Sequence, residues 1–105
     1  MTKEIKKVAI VTLEPIDFVI TLSTVKTIKQ VAIHNKDEDE ASFMQELIDK
    51  LLNYNHTNDD RVQLDLDIET RFALWLALDK YCDFCNQFKY VDEKIKAQRI
   101  MNKLR

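Results

Sequence analysis

The sequence predicts an α+β fold, a small antiparallel sheet packed by about three helices. Strict alternation of apolar and polar residues near 62–67 predicts a strand, and apolar stripes of helical period predict helices over 39–53, 69–88 and 92–104. A chain of 105 residues with 46% apolar positions can build one modest core, so residues 1–105 are read as a single domain.

The elements follow in order. Residues 5–13, rich in Val and Ile, read as a first strand that Glu14-Pro15 ends. Ile16, Phe18, Ile20 and Leu22 alternate with Asp17, Val19, Thr21 and Ser23, the pattern of a strand with one drier face. Val25 to Ile33 admits two readings. Its β-branched content favours another strand, while Val25, Ile28 and Ala32 also fit a helical stripe behind a Ser23 or Thr24 cap. The strand is the preferred reading.

Over 39–53 the helix signal is clean. Phe43, Met44, Leu47, Ile48, Leu51 and Leu52 fall on one arc, with Gln45, Glu46, Asp49 and Lys50 opposite. Asp37 to Glu40 supply a cap and suit the positive end of the helix dipole. Asn53 or Asn55 is expected in the left-handed position after this helix, and 54–60 reads as a polar loop.

Val62, Leu64, Leu66 and Ile68 then alternate with Gln63, Asp65, Asp67 and Glu69. In the helix over 69–88, Leu74, Leu78, Tyr81, Cys82, Cys85 and Phe88 make the apolar stripe. Phe72 and Leu76 fall on its otherwise polar side. Apolar residues all round a helix usually mean burial. Should Phe72 or Leu76 stay exposed beside the Asp65–Glu69 acids, the outcome is an apolar anchor with an acidic rim, the anatomy of a protein-binding hot spot. The last helix carries Ala97, Ile100, Met101 and Leu104 on one arc and Lys96, Arg99 and Lys103 on another.

Composition excludes several function classes. The chain has no glycine, and dinucleotide-binding turns, phosphate loops, the nucleophile elbow and the EF-hand loop all depend on it. Cys82 and Cys85 form a CxxC deep inside a helix, on its apolar side, where core packing explains them better than redox chemistry. His34 and His56 have no zinc-finger spacing to these cysteines, so neither a metal nor a cofactor is expected. No acid, His or Ser is placed for catalysis by the pattern, and an enzyme is not expected. The N-terminal apolar run, Val8 to Leu13, is cut short by Glu14, Pro15 and Asp17, too soon for a signal peptide or membrane span. A cytoplasmic protein with reduced thiols is expected.

Charge is the informative feature. A net charge of -2 hides an acidic middle: residues 37–70 hold eleven acidic and two basic residues. If Glu38, Asp39, Asp59, Asp60, Asp65 and Asp67 form one outward patch, its field would steer a basic partner. Size, the lack of an active-site signature and a Lys/Ile/Asn/Asp-rich style look like small accessory proteins of phages and mobile elements, a resemblance of character that covers no motif. It implies the blocking of a host enzyme or a bacterial defence protein. The leading expectation is therefore a non-enzymatic inhibitor whose acidic surface covers a basic, nucleic-acid-binding site on its partner, with no membrane and no small-molecule substrate. The first alternative is a nucleic-acid-binding regulator using Lys96, Arg99 and Lys103. The second is a structural subunit of a homo-oligomer, a homodimer being the simplest, joined by an exposed apolar helix face.

Overall fold

The computed structural model describes residues 8–104. It contains strand β1 (Val8–Leu13), helix α1 (Pro15–His34), helix α2 (Glu38–Leu52), strand β2 (Asn55–His56), strand β3 (Val62–Asp67), helix α3 (Ile68–Phe88) and helix α4 (Val91–Leu104). The strands form one antiparallel sheet in the order β1-β3-β2. The α+β class predicted from the sequence is the fold observed. Positions 5–7 of the first predicted strand lie outside the described residues.

The sheet obeys its alternation. Val62, Leu64 and Leu66 of β3 and Val11 and Leu13 of β1 turn inward and are buried. On the other face Ile10 stands opposite Asp65, and Thr12 opposite Gln63. The helices close over the inner face. Leu47 and Leu51 of α2, Leu74 and Leu78 of α3, and Ile100 and Leu104 of α4 join the strand residues in one hydrophobic cluster. Each such leucine contributes up to about 1.5–3 kcal/mol by leaving water.

Residues 15–34 are the main correction. The sequence reading placed strands over 16–22 and 25–33, and the structure makes one 20-residue helix of them. Pro15 occupies the first helical turn, where its missing N–H costs nothing and its fixed φ suits the helix. The buried positions are Asp17, Phe18, Thr21, Thr24, Val25, Ile28 and Ala32, spaced three and four apart. Polar side chains therefore sit in the buried stripe, while Ile16, Val19, Val31 and Ile33 are exposed. That inversion gave the segment its false period of two. Thr21 and Thr24 satisfy their hydroxyls by donating to the carbonyls of Asp17 and Ile20, each at 2.8 Å.

The turns manage without glycine. Lys36, Asp60 and Lys89 take left-handed φ values of 59°, 64° and 58°. Asn53, an expected left-handed residue, instead has φ of -91°. At the end of α3 the Tyr90 N–H donates to the Cys85 carbonyl at 2.9 Å, closing the helix with Lys89 in the position glycine usually takes. At the other junction Asp37 N–H donates to Ala32 O at 2.8 Å, and the Asp37 carboxylate accepts from Glu40 N–H at 3.1 Å. One aspartate thus ends α1 and caps α2. The pair packs as a helical hairpin.

Candidate functional site

Each acidic residue singled out by sequence can now be located. Glu38 and Asp39 open α2 and are exposed. Asp59 and Asp60 lie in the turn between β2 and β3, which the chain enters from the far end of α2. Fifteen residues of helix lie between, about 22 Å at 1.5 Å per residue, well beyond the screening length of about 8 Å at physiological salt. Asp65 stands on the outer sheet face opposite Ile10. Asp67 caps α3, its carboxylate accepting from Thr70 N–H at 2.7 Å. The six acids occupy three separate places, not one patch.

Several acids are also answered by the chain's own cations. Asp59 pairs with Arg61 at 2.8 Å, and hydrogen bonds from Arg61 and Thr57 hold its carboxyl down to about 2. Glu40, from the same acidic run, meets Lys80 of α3 at 2.9 Å.

The basic stripe is likewise partly committed. Arg99 and Lys103 both reach the carboxylate of Asp17, Lys103 at 3.0 Å. Asp17 is 1% exposed. Burial pushes its carboxyl up, but the hydrogen bonds and charges of Arg99 and Lys103 outweigh this and hold it below the usual carboxylate value. Two of the three expected nucleic-acid contacts thus pin α4 to α1. Lys96 lies 3.8 Å from Glu93 on its own helix.

The cysteines are buried and unpaired, and burial is the leading cause that pushes both thiols up. His34 ends α1, and His56 sits in β2 with its ring edge-on to Tyr54 at 5.1 Å. Among the described residues no group of three or more His, Cys, Asp or Glu side chains is placed to hold a metal ion.

What the structure does assemble is apolar. Phe72 is 60% exposed and Leu76 46% exposed, one turn apart on α3. Beside them the small side chains of Ala73 and Ala77 form the floor of a groove of about 380 Å³. Phe43 and Met44 of α2 and Ile28 of α1 make its other wall. Glu69 marks one end of the groove on α3, and Lys80, joined to Glu40, marks the other. Phe72 also walls a second hollow with Ile68, Trp75 and Leu104. Further along α3, Phe84 and Phe88 pack ring to ring at 4.7 Å and remain partly exposed.

Phe72 and Leu76 were visible in the sequence as apolar residues on a polar side. Phe43 was not, because it falls on the apolar arc of α2, yet it is 46% exposed at the groove's edge. The helical period carries no information on where a neighbouring helix stops covering that arc. No protein family, curated protein or solved structure matches the chain.

Proposed function

We propose that the protein is a non-enzymatic protein–protein interaction module that docks a partner in the groove between α2 and α3. The partner presents apolar side chains to Phe72, Leu76 and the alanine floor, and a cation to Glu69. The observation that carries this reading is the pairing of exposed Phe72 and Leu76 with a hollow between charged ends. An apolar centre with a charged rim is how protein interfaces concentrate their binding energy. The ionisable side chains that line the groove are Glu40, Glu69 and Lys80, and Lys80 is held by Glu40. No described helix is long and apolar enough to cross a membrane. The reading sets the module in the cytoplasm, where thiols such as Cys82 and Cys85 stay reduced.

The narrower form of the proposal is an inhibitor that covers a basic, nucleic-acid-binding site. Glu38, Asp39, Asp60 and Asp65 support it, since none makes an ion pair among the described residues. They would act as separate rim contacts rather than as one field. The test is capture from a lysate of the source cells on immobilised protein, compared with Phe72→Ser and with Asp65→Lys. Loss of a captured protein with Phe72→Ser supports the groove. Loss with Asp65→Lys, and release by salt, supports the inhibitor form. Capture unchanged by Phe72→Ser would refute the groove.

A further inference from the structure

Strand β1 lies at the edge of the sheet, with β3 on one side and, among the described residues, no strand on the other. In an antiparallel strand alternate residues turn their N–H and C=O groups to opposite sides, so half of β1 aims its backbone groups away from β3. Outside the ladder no backbone–backbone hydrogen bond reaches residues 8–13 among the described residues, and no side chain supplies one. Soluble proteins guard such an edge with a charge, a proline or a bulge. Val8–Leu13 reads VAIVTL and holds neither a charge nor a proline. Its register with β3 advances one residue at a time from Val8 to Leu13, so it holds no bulge either. The far side of the sheet differs, since β2 covers only residues 62 and 63 and β3 beyond it carries Asp65 and Asp67.

We propose that the open edge of β1 pairs with β1 of a second copy of this chain, antiparallel about a two-fold axis at Ile10, joining the two sheets into one of six strands. This interface is separate from the α2–α3 groove and does not rest on it.

Face and register select the arrangement. Directly opposite residues of an antiparallel pair point to the same face. A two-fold at residue 10 sets residue 9 against 11 and residue 8 against 12, so the buried side of each strand continues the buried side of the other. Ile10, 64% exposed on the outer face, then meets the second copy's Ile10, and Thr12 meets the second copy's Val8. Pairs of β-branched residues are favourable across strands. A two-fold interface must be complementary to itself, and no charge in VAIVTL opposes its own kind there. Asp65 stands opposite Ile10 on β3. The two copies of Asp65 would be three strand spacings apart, about 14 Å, beyond the screening length of about 8 Å at physiological salt. The acids beside the seam therefore do not oppose it.

The test is sedimentation equilibrium of the full chain from low micromolar to millimolar concentration, with circular dichroism to check the fold of each variant. The expected result is a monomer–dimer equilibrium that Ile10→Lys weakens by an order of magnitude or more, because it sets two like charges directly opposite. Ile10 is mostly exposed, so the monomer fold should persist. Phe72→Ser should leave the dimer unchanged. Cross-linking with a short bis-maleimide then tests the register, the native cysteines being buried. Ile10→Cys should link to its own copy, since residue 10 faces residue 10 at about 5 Å between β-carbons. Thr12→Cys should not, since its two copies would be offset by four residues, about 14 Å. A monomer at every concentration overturns the proposal, as does a dimer indifferent to Ile10→Lys. A dimer lost with Phe72→Ser overturns it in favour of the groove as the contact between copies. Linkage through position 12 as readily as through position 10 overturns the two-fold at Ile10.

Discussion

Replacing Arg99 and Lys103 together by methionine should cost far more than either exposed side chain suggests. Their side chains are 50% and 36% exposed, whereas the carboxylate they share, Asp17, is 1% exposed. Methionine keeps most of the packing of the long stems and removes both donors. Asp17 is then left charged in the core between α1 and α4 without a partner, a condition that costs about 3–5 kcal/mol. Changing Asp17 to Asn is the converse case. The two cations left behind can turn into water, so the loss is that of charge-assisted hydrogen bonds, about 1–3 kcal/mol. Adding Asp17→Asn to the double methionine variant should recover most of the stability, because the unpaired charge is gone. The assay is urea unfolding followed by the fluorescence of Trp75. A pH series supplies an independent signature. In the parent the Asp17 carboxyl lies below its ordinary value of 3.8, so its contribution is complete above that pH and is lost as the pH falls through the lowered value. In the double variant the carboxyl is unpaired and buried, its pKa rises, and stability is instead lost as the pH rises through the new value. A double variant that loses less than about 1 kcal/mol at neutral pH, against the 3–5 expected, would refute the reasoning. So would a triple variant no more stable than the double.

Two further predictions concern the turns and the thiols. Lys89→Gly should raise thermal stability, since a β-carbon at a φ of 58° costs about 1–2 kcal/mol, offset in part by the greater freedom of glycine in the unfolded chain. Differential scanning calorimetry would show it, and a lowered melting temperature would count against the left-handed closure of α3. Cys82 and Cys85 are 5% and 1% exposed with both thiols pushed up, so neither should react with a thiol-specific alkylating reagent before unfolding. Mass spectrometry of the labelled native protein reads this directly, and rapid native labelling of both sites would overturn it.

Three helices and the central strand were legible in the sequence for a common reason. In β3 and α4, and in α2 and α3 apart from Phe43, Leu52 and Phe88, the apolar side chains of the predicted arcs face the core at the period of the backbone, so local pattern and final burial agree. The groove was half legible. Phe72 and Leu76 stood out as apolar residues where polar ones were due, but nothing local showed that Phe43 would stand exposed across from them.

Helix α1 shows where that agreement fails. Its buried stripe holds Asp17, Thr21 and Thr24, and its exposed side holds Ile16, Val19, Val31 and Ile33. A carboxylate is tolerable at position 17 only because Arg99 and Lys103 approach from more than 80 residues away, and no window of sequence contains that fact. The same holds for the charge. Composition alone established an acidic middle third and the absence of every glycine-dependent site. Only the tertiary arrangement decided that those acids lie in three places, some capping helices and some meeting the chain's own cations. Side-chain periodicity is a local property written along one backbone, whereas charge neutralisation and exposure depend on which distant element arrives alongside.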